Sequence, residues 1–184
     1  YSTDEFVSFS NSGATVQFES SIGVGSTIQS GDGDDSMVFV AAITNANTTG
    51  GITLDAGLGS DTLEFRQAFA GNLSNLSSAN EFVSFSNSGA TVQFQSGIGA
   101  GSSLIFGTSD DQATFNATVG AASIYGGAGD DTFTFAAAVE GATIDAGDAT
   151  DSLVFGAEMS GRISGLYSTD EFVSFSNSGA TVQF

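Results

Sequence analysis

Short stretches of apolar and polar residues in strict alternation recur along the chain, separated by runs rich in Gly, Ser and Asn. In DDTFTF (130–135), Phe133 and Phe135 fall on one side of an extended backbone and Thr132 and Thr134 on the other, because successive side chains of a strand point to opposite faces. The same two-residue period returns in Met37/Phe39, Leu63/Phe65, Val83/Phe85, Ala113/Phe115, Leu153/Phe155 and Val173/Phe175. No segment sustains a 3.6-residue period, and 25 glycines are too many for helices. Short alternating segments at regular spacing, joined by glycine-rich turns, predict an all-β chain.

These segments belong to a repeat with two scales. DEFVSF (4–9), DDSMVF (34–39), SDTLEF (60–65), NEFVSF (80–85), DDQATF (110–115), DDTFTF (130–135), TDSLVF (150–155) and DEFVSF (170–175) all carry Asp or Glu second and Phe sixth. Their spacings are 30, 26, 20, 30, 20, 20 and 20 residues. A second set of strands lies between them: TVQF (15–18), TIQS (27–30), TLDA (53–56), TVQF (91–94), SLIF (103–106), SIYG (123–126) and TIDA (143–146). Equivalent positions recurring about every 20 residues predict a parallel β-solenoid of the β-roll or β-helix type. In such a fold each residue stacks on its counterpart one coil away. The sixth-position Phe residues then form an internal ladder, and eight coils make a rod roughly 40 Å long at about 4.8 Å per coil. The 30-residue intervals admit two readings, a coil with a third side or one and a half ordinary coils.

The larger scale is a near-verbatim duplication. Residues 1–18, YSTDEFVSFSNSGATVQF, recur without change at 167–184, and EFVSFSNSGATVQF recurs at 81–94. We divide the chain into solenoid modules at 1–76 and 77–166 and the start of a further module at 167–184, stacked without a linker. A chain that stops inside a module leads us to expect more modules beyond it.

Composition narrows the chemistry. The chain has 184 residues, two Arg (Arg66 and Arg162) and no Lys, His, Cys, Pro or Trp, against 21 Asp and Glu, for a formal charge of −19. Without His or Cys there is no Ser-His-Asp or Cys-His nucleophile and no Cys/His zinc centre. Two cations cannot coat a phosphate backbone, so nucleic acid is not an expected partner. No apolar run approaches the roughly 20 residues of a membrane helix, so membrane insertion is not expected. Hydrophobic residues make up 40% and Phe alone numbers 17, enough for a core and unlike a disordered acidic tail.

The turn before the Asp-Phe strand carries the candidate chemistry. Residues 126–134, GGAGDDTFT, fit G-G-x-G-x-D-x-U-x throughout. Residues 30–38 (SGDGDDSMV) and 56–64 (AGLGSDTLE) miss the first Gly, and 146–154 (AGDATDSLV) also has Ala149 for the second turn Gly. Residues 106–114 (FGTSDDQAT) keep one Gly and the Asp pair, and the turns before Glu81 and Glu171 lack the pattern. This resembles the calcium-binding nonapeptide of the repeats-in-toxin (RTX), hemolysin-type β-roll family. The resemblance implies Ca2+ held between stacked turns, with turn glycines lending backbone carbonyls and the sixth-position Asp a carboxylate. Carried over, the metal-site residues are Gly31, Asp32, Gly33 and Asp35; Gly57, Gly59 and Asp61; Asp111; Gly127, Gly129 and Asp131; and Gly147, Asp148 and Asp151. Chemistry agrees, since an all-oxygen donor set suits a hard cation of flexible coordination. The opposite turns, AAAVEGA (136–142) and GAEMSGR (156–162), lack the Asp, so the sites are expected along one edge only.

Tandem modules, a Ser/Thr/Gly surface and no catalytic set point to a structural protein and not an enzyme. The expected role is a calcium-stabilised building block of a surface layer (S-layer), sheath, matrix fibre or adhesin stalk. It would be secreted, extracellular or on a bacterial cell surface, and self-associate end to end or laterally into a filament or lattice. The alternatives are a solenoid face that binds glycan or ice, and the calcium-dependent export domain of a secreted toxin or enzyme. Sequons at Asn47, Asn72, Asn75 and Asn116 are read as chance matches in a Ser/Thr/Asn-rich chain. Asp4, preceded by no Gly-rich turn, is the natural contrast to the candidate ligands.

Overall fold

A computed structural model describes residues 5–9, 13–23, 25–43, 52–85, 89–168, 170–176 and 179–184. Asp4 and Asn47 lie outside the described residues. In chain order the strands are β1 (Phe6–Ser8), β2 (Thr15–Phe18), β3 (Thr27–Gln29), β4 (Ser36–Phe39), β5 (Ile52–Asp55), β6 (Thr62–Phe65), β7 (Phe69–Ser74), β8 (Phe82–Phe85) and β9 (Ala90–Phe94). They continue as β10 (Ser103–Ile105), β11 (Gln112–Phe115), β12 (Ser123–Tyr125), β13 (Thr132–Phe135), β14 (Val139–Asp145), β15 (Ser152–Phe155), β16 (Met159–Ser164), β17 (Phe172–Phe175) and β18 (Thr181–Gln183). No helix occurs among the described residues.

Odd-numbered strands form one nine-stranded sheet and even-numbered strands the other. All pairing is parallel; β13, for example, aligns Phe133 with Leu153 and Phe135 with Phe155 of β15. Each coil thus gives one strand to each sheet, and the chain is a two-sided parallel β-solenoid with coils of about 20 residues. The alternation expected from sequence sets the faces: in β13 Phe133 and Phe135 are buried and Thr132 and Thr134 lie outward. The core is the apolar layer between the two sheets, running from Ile28 and Met37 through Leu104 and Ile124 to Leu153 and Ile163.

The 30-residue intervals are resolved as one and a half ordinary coils. Between Glu5 and Asp35 the chain makes β1, β2 and β3, and between Glu81 and Asp111 it makes β8, β9 and β10. Three strands move the acidic-to-Phe segment onto the opposite sheet. Hence β4, β6 and β8 lie in the even sheet, whereas β1, β11, β13, β15 and β17 lie in the odd one.

That half-coil shift corrects one expectation: the internal Phe ladder is two ladders. Phe18, Phe39, Phe65, Phe85 and Phe106 stack in one, with successive centroids 4.8, 4.9, 5.1 and 5.0 Å apart. Phe94, Phe115, Phe135, Phe155 and Phe175 stack in the other at 4.6, 4.6, 4.8 and 5.1 Å. The spacing is that of hydrogen-bonded strands, so the backbone ladder dictates the ring stacking. Phe18, Phe94 and Phe106 come from the second strand family and lengthen both ladders beyond the sixth-position residues.

Phe135, fully buried between Phe115 and Phe155, is expected to cost about 3–5 kcal/mol when changed to Ala. Phe172→Ala should cost far less, because that ring is 55% exposed. Urea unfolding of the two variants, read by far-ultraviolet circular dichroism, compares them; equal losses would contradict the ladder.

Candidate metal site

The second-position carboxylates extend the backbone ladder into the turns. In each parallel pair the strand N–H and C=O groups find partners, but the turn below bends away and leaves one N–H without a carbonyl. A carboxylate from the next coil fills that place. Asp35 N–H donates to Asp61 Oδ1 (2.9 Å) and Asp61 N–H to Glu81 Oε2 (2.8 Å). Asp111 N–H donates to Asp131 Oδ1 (2.9 Å), Asp131 N–H to Asp151 Oδ1 (3.0 Å) and Asp151 N–H to Glu171 Oε2 (2.9 Å). Each column is founded on an alanine: Ala14 N–H donates to Asp35 Oδ1 and Ala90 N–H to Asp111 Oδ1. The first column ends in a hydroxyl, with Glu81 N–H donating to Ser102 Oγ (3.1 Å).

The columns stand on opposite edges, which corrects the expectation of a single edge. Asp35, Asp61 and Glu81 enter even-sheet strands, and Asp111, Asp131, Asp151 and Glu171 enter odd-sheet strands. The cause is the half-coil shift. Within either half of the solenoid the opposite turns are apolar, as at Val119 and Val139, which bridge one another across adjacent coils.

Burial is nearly complete at Asp35, Asp61, Glu81, Asp111, Asp131 and Asp151. One oxygen of each takes the ladder N–H, and Asp111 Oδ2 also accepts Gly107 N–H (3.1 Å). Asp35 Oδ2, Asp61 Oδ2, Glu81 Oε1, Asp131 Oδ2 and Asp151 Oδ2 are buried with no hydrogen-bond partner. A buried anionic oxygen without a partner is costly and calls for a proton or a cation. Burial, opposed by the ladder hydrogen bond and reinforced by neighbouring carboxylates, pushes Asp131 up to about 8 and Asp61 and Asp151 up to about 6. It pushes Glu81 up to about 7 and also raises Asp111.

The residues before Asp61, Asp131 and Asp151 make a second, exposed ladder in the opposite direction. Ser60 N–H donates to Asp34 Oδ1 (2.8 Å), Asp130 N–H to Asp110 Oδ1 (2.9 Å) and Thr150 N–H to Asp130 Oδ1 (2.9 Å). Adjacent amides on a strand alternate in direction, so one reaches toward the preceding coil and the next toward the following one.

The turn glycines have steric reasons of their own. A Cβ on Gly127 would lie 1.9 Å from the Gly107 carbonyl oxygen at φ +103°. Gly31, Gly33, Gly57, Gly59, Gly129 and Gly147 share the positive φ. Ala149 holds the same kind of conformation, φ 89°, without being glycine. Asp32 and Asp148 sit exposed on the turn rims, in the isolated bridges Asp32–Leu58 and Ala128–Asp148. They are not among the buried column members.

The structure therefore joins Asp35 with Asp61, and Asp111 with Asp131 and Asp151, as neighbours in columns. It adds Glu81 and Glu171, which the nonapeptide pattern missed, although the invariant acidic second position had marked them. Among the described residues no three acidic side chains converge on one point. A cation here would be held by carboxylates of successive coils together with turn carbonyls, the donor set of a hard ion.

No family model, curated protein or solved structure matches the chain.

Two outcomes follow from the site. The raised folded-state values mean that, without metal, the folded columns hold protons that the unfolded chain gives up nearer pH 4. Metal-free stability is then greatest below about pH 4–5 and falls as pH rises through 6 to 8; calorimetric melting in chelator across that range measures the slope. Ala149→Gly should stabilise by about 1 kcal/mol by relieving the left-handed conformation, seen as a higher urea midpoint at unchanged slope.

Proposed function

We propose that the chain is a calcium-stabilised structural repeat, a building block of an extracellular surface layer, sheath, matrix fibre or adhesin stalk, without catalytic activity. The observation that carries this reading is the pair of columns of buried, half-partnered carboxylates. They resemble the calcium turns of the repeats-in-toxin family in residue type and position. Asp35 with Asp61, and Asp131 with Asp151, are the carboxylates we assign to calcium, with the glycine-rich turns 30–34, 56–60, 126–130 and 146–150 supplying carbonyl oxygens. Asp111 joins the second column. Bound calcium would replace the missing partner of the orphaned oxygens and offset repulsion along each column. Metal that binds the folded turns better than the unfolded chain adds to stability by mass action, and near-millimolar calcium outside cells fills weak sites. Stacked modules, end to end or side by side, then give a filament or lattice.

Calcium is expected to raise the melting temperature over chelator by about 5–10 °C per filled site, from roughly 2.7 kcal/mol at a hundredfold excess over Kd and about 2–4 °C per kcal/mol. Magnesium should not substitute, because its small octahedral shell keeps its waters. Asp131→Asn keeps an acceptor for the Asp111 N–H but removes a group that, without metal, must either carry a buried charge or take up a proton. It should raise the metal-free melting temperature and shrink the calcium increment. A melting temperature indifferent to chelator would leave these carboxylates as ladder members alone.

A further inference from the structure

The outer faces of the two sheets differ in kind. On the odd sheet the outward positions of β11 and β13 are Gln112, Thr114, Thr132 and Thr134, all polar and uncharged. On the even sheet, parallel register stacks Glu64, Ser84, Ile105, Tyr125 and Asp145 in one outward column, and Phe82 stands in the column beside it. Phe82 is 38% exposed and Tyr125 41%. Away from the first and last copies of the duplicated segment, the other exposed large apolar side chain among the described residues is Leu58, on a turn rim.

Phe82, Ile105 and Tyr125 form one strip. Ile105 and Tyr125 are partners in register on adjacent strands. Phe82 pairs with Ser103, two residues before Ile105, and so is the diagonal neighbour of Ile105. Directly paired side chains touch, and diagonal ones lie within reach of an aromatic ring. The two rings thus bracket Ile105, two coils apart, at about 9.6 Å along the rod. The fold does not require them, because the core lies on the other side of these strands. A contiguous apolar strip with a polar rim marks a binding surface. Adjacent coils are stacked with little rotation, the rings of Phe39 and Phe65 lying 8° and those of Phe65 and Phe85 10° from parallel, so the surface is nearly flat.

The rim defines the ligand. Ser84, Ser103 and Ser123 place hydroxyls beside the rings. Glu64 precedes Ser84 in the column and Asp145 follows Tyr125, so a carboxylate stands at each end of the strip. Carboxylates accept hydrogen bonds from hydroxyls and repel anions, and a formal charge of −19 repeats that exclusion over the whole chain. A second copy is a poor occupant for the same reason: it brings equal negative charge to a face that already carries Glu64 and Asp145. The ligand must be flat, uncharged, apolar on its faces and rich in hydroxyl donors at its edges. A β-linked glucan of the cellulose type meets these demands. Its hydroxyls are equatorial, its axial C–H groups leave both ring faces apolar for stacking on aromatic rings, and its chain is a flat ribbon. We propose that the outer face of the even sheet binds an uncharged β-linked glucan across β8, β10 and β12. Sugar rings stack on Phe82 and Tyr125, and edge hydroxyls donate to Glu64 and Asp145. This goes beyond the structural reading of the chain and does not rest on its metal.

The test is depletion of the full chain from solution by microcrystalline cellulose, with cellohexaose as competitor. Cellulose should deplete the chain and cellohexaose should reverse it. Starch, whose α-linked chains coil, and polygalacturonate, which is anionic, should not bind. Tyr125→Ala and Phe82→Ala should each weaken cellulose binding about fivefold, whereas Tyr125→Phe, which keeps the ring, and Thr134→Ala, on the opposite sheet, should change it by less than about twofold. Unchanged melting temperatures show that the variants fold. Cellohexaose should also shift the Tyr125 ring resonances of the unmodified chain, which covers the case of a variant that does not. No depletion by cellulose, or depletion that neither Ala variant weakens, would overturn the site, and equal binding of polygalacturonate would overturn its charge selection. Self-association lost in Tyr125→Ala, without glucan binding, would overturn the proposal in favour of a contact between copies. Each arm is run with calcium and with chelator: a calcium-indifferent melting temperature beside cellulose binding defeats the metal reading and leaves the glucan site standing.

Discussion

The solenoid depends on a carboxylate standing in for a carbonyl. Parallel strands satisfy their own amides, but at the entry to each Asp-Phe strand the coil below offers an N–H where the coil above has already turned away. An unpaired buried N–H costs about 1–3 kcal/mol, and one recurs at every coil. Asp or Glu reaches back from the next coil to take it, as Asp131 does for Asp111. The solution carries its own cost. Carboxylates about 4.8 Å apart repel by about 3 kcal/mol per neighbouring pair at an effective dielectric near 20, and their second oxygens are stranded in the interior. The candidate metal chemistry of this chain is thus a consequence of how it satisfies its backbone.

Much of the fold was legible because its signals are local. Alternation in TFTF or SLVF names the buried face without reference to any partner, and the recurring Phe names the ladder. The number of ladders was not legible. It depends on which sheet each strand of a 30-residue interval joins: TIQ (27–29) and SLI (103–105) are recognisable as strands, but only their parallel partners β5 and β12 place them in opposite sheets. Sheet membership of that kind is fixed by tertiary pairing more than by propensity.

The site divides in the same way. Asp35, Asp61, Asp131 and Asp151 were found because a glycine-rich turn precedes each, and the glycine requirement is local: stacked turns put a carbonyl oxygen where a Cβ would stand. Glu81 and Glu171 stand in the columns without that turn. Glu171 folds back on its own turn, accepting Ser168 N–H at Oε1 while Oε2 takes Asp151 N–H. The longer side chain replaces the turn geometry that Asp needs. Asp32 and Asp148, also drawn in by the pattern, sit exposed on the turn rim, and the charge of Asp148 adds to the push that raises the buried Asp151.

Glutamate at the close of the first column gives the middle copy of the duplicated segment its physical role. Glu81 closes the first column on one edge, and nine residues later Ala90 founds the second on the other edge. Between them lies one strand, β8, so the acidic line changes edge without a break in either sheet. Seven carboxylates on one edge would form a line in which each charge meets neighbours on both sides and all the rest at multiples of the coil spacing. Divided as Asp35, Asp61 and Glu81 on one edge and Asp111, Asp131, Asp151 and Glu171 on the other, the groups lie at successive levels of the rod. Each run has apolar residues such as Ile43, Phe69, Val119 and Val139 in the turns across the core. Ser102, in the place of an acid, leaves the end of the first column neutral. A chain with a formal charge of −19 and two cations has few counter-charges to spend, and moving its buried acids from edge to edge limits how far repulsion accumulates along the rod.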